Sequence, residues 1–364
     1  MRILIVNAGS SSLKLSVLGD GDAVVGEANL PAAGGQSEPG AVASAIGRVG
    51  GDTADAVGHR VVHGGRQFVE PVRLDAGVRK KLDDLVDLAP LHQPKSLAGV
   101  DAVSGVLPGV PAVACFDTAF HAGMPAAAAT YALPLEWRKR WELRRFGFHG
   151  LSHAYATRRA GELLGHVPAR LVVCHLGSGA SLAAVRDGRS VDTTMGFTPL
   201  DGLVMGTRSG TVDPGLVLWL AEHAHTPPSE LAATLERRSG LLGLAGTADM
   251  REVLARAEAG DSTAGLALEV YLHRLRGLIG SMAAALGGLD TLIFTGGVGE
   301  NSAEIRARAA AGLGFLGVAL NGQRNAAAHG DTDITAPGAA VRAFVVAARE
   351  DIEIARQVRE VLAR

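Results

Sequence analysis

One strand–turn–strand pattern occurs twice in this chain. The first copy runs Ile3-Leu4-Ile5-Val6, then the polar stretch Asn7-Ala8-Gly9-Ser10-Ser11-Ser12, then Leu13-Lys14-Leu15-Ser16-Val17-Leu18, and closes at Gly19-Asp20-Gly21-Asp22. The second runs Arg170-Leu171-Val172-Val173-Cys174, then His175-Leu176-Gly177-Ser178-Gly179-Ala180-Ser181, then Leu182-Ala183-Ala184-Val185, and closes at Asp187-Gly188. A short apolar run bounded by turn residues reads as a buried strand, and apolar–polar alternation as a half-buried one. Two unrelated Gly/Ser hairpins would share these traits. The same tip at the same place in both favours a duplicated domain.

What lies around the hairpins fits two α/β domains. A chain of 364 residues exceeds one ordinary core, since domains run to about 100–200 residues. Val78, Leu82, Leu85 and Val86 fall on one helical face, as do Leu268, Tyr271, Leu272, Leu275, Leu278, Ile279 and Met282. Thr291–Thr295 reads as a buried strand, Gly296–Asn301 as a polar turn, and Ser302–Ala311 as a helix. Alternating strands and amphipathic helices imply mixed sheets. Ala32–Gly40 is the clearest flexible loop.

Bulk chemistry removes several function classes. A 47% hydrophobic, 20% charged chain has material for buried cores and is not disordered. A net charge of −2 gives no reason to expect nucleic acid or an anionic membrane as partner. No apolar stretch reaches the roughly 18 residues of a membrane span. Cys115 and Cys174 sit in apolar runs and read as small buried hydrophobes, not as metal ligands or a disulfide. With strand-like sequence from the outset and no leader pattern, a cytoplasmic setting is expected.

A nucleotide site needs a way to hold phosphate. No GxxxxGK[ST] occurs, and His59-Arg60 is not followed by Asp, so neither a P-loop nor a protein-kinase catalytic loop is present. Three short polar turns at strand ends remain: Asn7–Ser12 with Lys14 beyond it, His175–Ser181, and Gly296–Asn301. Small residues let backbone N–H groups close on phosphate oxygens, although any one such turn is ordinarily just a turn. Arg60, Asp117, His149 and Arg208 each stand in apolar or small-residue surroundings. Singly, each fits a buried ion pair or a satisfied core histidine as well as catalysis. His149 and His153 are four apart, as zinc ligands can be, but the HExxH glutamate is missing and no third ligand is indicated.

Together these stretches resemble the acetate kinase family over nearly the whole chain. The matching motifs are Asn7–Lys14, Gly58–Gly65, Ala89-Pro90-Leu91-His92, Phe116–His121, Phe146–Gly150, Met205–Gly210 and Gly297–Ser302, in that order. The resemblance implies the actin-like sugar-kinase fold: two duplicated ribonuclease-H-like domains around a central cleft. The first would span residues 1–120, completed by a C-terminal helix at 351–364, and the second, nucleotide-binding, residues 121–350. It further implies phosphoryl transfer from ATP to acetate, a homodimer, and Mg²⁺ (or Mn²⁺) as the metal. Asn7 and Glu350 would belong to the metal site. Arg60 would grip the substrate carboxylate beside Val62, Leu91, His92, Phe148 and Pro199. Asp117, His149, Arg208 and Arg60 would be the catalytic set. Ser10, Ser12, Lys14, His175, Leu176, Gly177, Ser178, Gly179, Asp249, Met250, Arg251, Gly297, Val298, Gly299, Glu300 and Asn301 would hold the nucleotide, with Gly297 leaving room for adenine.

The chain departs from the family pattern in places. Ser178 replaces the usual Asn, Gln93 and Lys95 replace the residues after Leu91-His92, Ala348-Arg349 precede Glu350, and the N-terminal part is short. A propionate or butyrate kinase would read the same way, because one methylene is worth only about 1–3 kcal/mol in an apolar pocket. An ATP-binding switch without kinase activity would not need Arg60, Arg208 and His149 together. The family reading casts Asp117 as a general acid/base. A carboxylic acid substrate is already ionised at neutral pH, so Asp117 is expected instead to orient an arginine and hold metal.

Overall fold

A computed structural model describes residues 1–8, 12–31, 39–89 and 92–364. Ser10, Leu91 and most of the loop expected at Ala32–Gly40 lie outside these residues; Gly40 itself is helical, in Pro39–Arg48. By compactness the chain divides into two units. One comprises Met1–Ala122, Phe148–Tyr155 and Arg349–Arg364; the other comprises Gly123–Gly147 and Ala156–Ala348.

The first unit is built on a six-stranded sheet. Its strands are β1 (Ile3–Ala8), β2 (Ser12–Leu18), β3 (Val24–Pro31), β4 (Ala56–Val61), β5 (Val72–Arg73) and β6 (Ala112–Phe116), in the order β3-β2-β1-β4-β6-β5. β1, β2 and β3 form an antiparallel meander, and β1, β4 and β6 run parallel. Ile3, Leu4, Ile5 and Val6 are all buried because β1 is covered on both faces. The Glu350–Leu362 helix packs Ile354 and Val358 on one face. At Gly58 of β4 a Cβ would stand 2.4 Å from Ile354, so this close approach requires glycine.

The second unit repeats the plan. β7 (Arg170–Leu176), β8 (Ala180–Arg186), β9 (Arg189–Thr193), β10 (Thr291–Thr295), β11 (Thr332–Asp333) and β12 (Arg342–Val345) take the order β11-β12-β10-β7-β8-β9. Strand for strand, β7, β8, β9, β10 and β12 replay β1, β2, β3, β4 and β6. The Ser262–Leu286 helix buries Leu268, Tyr271, Leu272, Leu275, Ile279 and Met282, the face expected from its spacing, with Leu278 half-buried. Gly296–Asn301 is a short helix, not the turn expected from its glycines. Tertiary packing outweighs the glycine penalty there. Ser302 then caps the helix Ala303–Ala311.

Candidate active site

In the first unit the ends of β1, β4 and β6 bring four polar residues together. Arg60 is the penultimate residue of β4, Asp117 follows β6, Asn7 lies on β1, and Glu350 opens the last helix. Arg60 Nε donates to both Asp117 oxygens at 3.1 Å, one terminal nitrogen donates to Asp117 Oδ2 at 2.6 Å, and the other to Asn7 Oδ1 at 3.0 Å. Asn7 Nδ2 donates to Glu350 Oε2 at 3.1 Å, and that oxygen lies 3.8 Å from Arg60 Nε. Among the described residues, three of the five guanidinium N–H groups are thus engaged, which leaves two.

Burial works against the Arg60 charge, but Asp117 and Glu350 outweigh it and carry its pKa above the ordinary range. Burial likewise pushes the Asp117 carboxyl up, against the pull of Arg60. Since the guanidinium does not give up its proton, Asp117 accepts these hydrogen bonds as a carboxylate.

The other first-unit candidates surround this cluster along the chain. Lys14 of β2 pairs with Asn7 across the sheet and is exposed, while Ser12 is half-buried at the start of β2. Val62 and Phe148 are buried, His92 half-buried. Gln93, one of the departures from the family pattern, is fully buried and clasps His63 through both its backbone N–H and C=O. His149 is half-buried with a left-handed φ of 55°, a conformation uncommon outside glycine and often found at functional sites. Its neighbour Gly150 donates to Asp117 O at 2.8 Å, and a Cβ there would lie 2.2 Å from that oxygen.

In the second unit a cavity of about 850 Å³ opens among Gly177, Ser178, Asp249, Met250, Arg251, Gly297, Val298 and Asn301. Its walls are thus the β7–β8 tip, the start of the Met250–Glu258 helix and the Gly296–Asn301 helix. Asp249 caps the Met250–Glu258 helix, and hydrogen bonds from the Arg251 side chain and backbone hold its carboxyl down to about 2. His175, Leu176, Gly179, Gly299 and Glu300 are not in the lining. Leu176 is buried, Gly179 O accepts from Gly177 N, and Glu300 Oε1 accepts from Ala348 N at 3.0 Å. Arg208 donates to Pro199 O at 2.9 Å.

Two contributors escaped the sequence reading. Tyr271 lines the cavity, but on an apolar helical stripe it looks like any core residue. Arg306 is fully buried and ties Gly299 O and Glu300 O to Asn325, fixing the cavity's glycine-rich wall. Nothing in its local sequence distinguishes it from a surface arginine.

Comparison with known proteins decides the family. The acetokinase family model matches residues 48–356. The chain belongs to the acetokinase family. An acetate kinase of Leifsonia xyli is 51% identical over 312 residues, covering 85% of this chain and 79% of that one. The acetate kinase of Porphyromonas gingivalis superposes with a TM-score of 0.92 at 34% identity, covering 99% of each chain. A propionate kinase of Francisella tularensis gives 0.92 at 35%, again over 99% of each. The two duplicated units are those of the actin-like sugar-kinase fold. In this acetokinase the Ser178 carbonyl accepts from Gly206 N at 3.0 Å while the residue lines the cavity.

Proposed function

We propose that this protein transfers the γ-phosphoryl group of ATP directly to acetate, giving acetyl phosphate and ADP, and the reverse. The observation that carries the reading is the Arg60 guanidinium, anchored by Asp117 and Asn7 and, among the described residues, still offering two N–H groups for a carboxylate. Val62 and Phe148 supply the apolar surroundings a methyl group needs. Arg208 and His149 would meet the transferring phosphoryl group, whose loose transition state calls for positive charge and donors. The cavity at Gly177, Ser178, Asp249 and Gly297 would take the nucleotide, and Lys14 its phosphates. Acetate arrives ionised, so no base is needed and Asp117 serves by orienting Arg60.

The acetokinase family uses a divalent metal, and Mg²⁺, with Mn²⁺ as substitute, is the ion proposed here. The residues fit it. Asn7 would offer its amide oxygen and Glu350 its carboxylate, both hard oxygen donors, and Glu350 keeps 17% of its side chain exposed. Mg²⁺ prefers one or two carboxylates together with water and substrate phosphates to an all-protein cage. When bound, Mg²⁺ supplies charge neutralisation on the phosphate oxygens.

A homodimer is part of the proposal. The Pro214–His223 helix buries no residue and exposes Leu216, Leu218 and Trp219, an apolar face a second copy would cover. A cytoplasmic location accords with two free, buried cysteines. Among the described residues no helix is long and apolar enough to cross a membrane.

Equal likeness to an acetate and a propionate kinase structure makes propionate the second reading. Formate, acetate, propionate and butyrate, each given with ATP and Mg²⁺ and trapped as hydroxamate, separate the two. Highest kcat/KM with acetate supports the first reading; highest with propionate replaces it.

A further inference from the structure

The loop that carries Arg208 is staked at its base by a network that no motif marks. Its two halves fold back on each other: Met205 N donates to Arg208 O at 3.1 Å, and Thr211 N to Gly202 O at 3.0 Å. Arg208 in turn is held by Pro199 O, on the loop's first half. Asp201 sits where the halves meet. Its Oδ1 accepts from Gly202 N at 2.9 Å and from Thr211 Oγ1 at 2.6 Å. Its Oδ2 accepts from Arg145 at 3.2 Å. The same Arg145 nitrogen donates to Thr193 O, Thr194 O and Met195 O at 3.3, 3.0 and 3.0 Å, so one carboxylate ties the loop to the end of β9.

We propose that Asp201, fixed between Arg145 and Thr211, is the positioning residue that sets the Arg208 guanidinium for phosphoryl transfer. Asp201 touches no reacting atom, and its role rests on the part given to Arg208 above. A long side chain on a loop gains its place only from such supports. A second tie, from Gly206 N of the same loop to Ser178 O at 3.0 Å, holds the loop to the nucleotide wall without passing through Asp201.

Asp201→Asn keeps the volume and replaces an acceptor with a donor. It should cut kcat about 10- to 100-fold while the KM for ATP changes less than about twofold, because small misplacements of a catalytic group have large kinetic effects. Thr211→Val should also lose kcat, and Thr211→Ser should retain it. In an Arg208→Ala background, Asp201→Asn should change kcat by less than about twofold, the non-additivity of residues acting as one unit. Thermal melts establish that each variant folds; if Asp201→Asn does not, the Thr211 pair decides. A wild type that makes no acyl phosphate overturns the function reading, and this inference with it. An active wild type whose Asp201→Asn variant keeps its kcat, equal losses in Thr211→Val and Thr211→Ser, or additive losses in the Arg208→Ala background overturn the inference alone.

Discussion

Asp117 is 1% exposed and spends both oxygens on Arg60. So engaged, Asp117 is proposed as a support for the guanidinium and not as a proton carrier. Asp117→Asn would turn an amide donor toward a cation and leave Arg60 half-buried with only the more distant Glu350 as a charge partner. Breaking such a pair costs roughly 3–5 kcal/mol, so lower stability should accompany a kcat at least about 100-fold down. The remaining chemical step should show no solvent isotope effect; a clear one would make Asp117 a proton carrier after all. Arg60→Lys tests the other side of the pair. An ammonium has three donors and no planar fork, so it cannot hold Asp117, Asn7 and a carboxylate together. Steady-state kinetics should give a kcat/KM for acetate lower by at least about 100-fold, with near-normal turnover at saturating acetate as the contrary result. The types of these residues stood out in the sequence, as charges in apolar runs. That Asp117 would orient Arg60 or Arg208 was expected too; which of the two, and the joining of Asn7 and Glu350 to the pair, were not, because these residues meet only through the tertiary fold.

At the level of elements, β4 and its flanks make the first unit sensitive to acid. His59 on β4, His63 after it and His121 in the short turn after β6 are buried, and burial lowers each pKa to about 4. The unfolded chain binds their protons near pH 6.5, the folded chain only near 4. Between these values the unfolded state holds more protons, so stability is full above about pH 6.5 and falls as pH drops toward 4, by on the order of 3 kcal/mol per histidine. Urea melts from pH 7 to 4 should show this decline. Among the described residues, neither ring nitrogen of His59 has a hydrogen-bond partner. His59→Leu should therefore flatten the pH dependence without lowering the midpoint at pH 7; an unchanged slope would place the acid sensitivity elsewhere. Element type was legible where burial is one-sided or complete, as in β1 and the Ser262–Leu286 helix. It was not legible for β3, where only Leu30 is buried, or for β9, with its mixed burial. Such strands are specified by pairing to a neighbour and carry little hydrophobic pattern of their own.

Across the whole molecule, the repeated hairpin announced the repeated sheet, and duplication was the most readable property of the fold. The site was less so: its turns could be named, but the cavity also depends on Tyr271 and Arg306, which packing alone brings to it. If a second copy covers the Pro214–His223 helix, light scattering should give twice 37.3 kDa, and Leu218→Glu should shift the protein toward monomer. A wild-type monomer would remove the dimer from the proposal. The claim on which the rest depends is that phosphate passes to a carboxylate. Phosphorus NMR of the protein with ATP, acetate and Mg²⁺ reads this directly: acetyl phosphate should grow in step with ADP and vanish when acetate or the metal is left out. ADP accompanied only by inorganic phosphate, or no ATP consumption with any short acid, would contradict it.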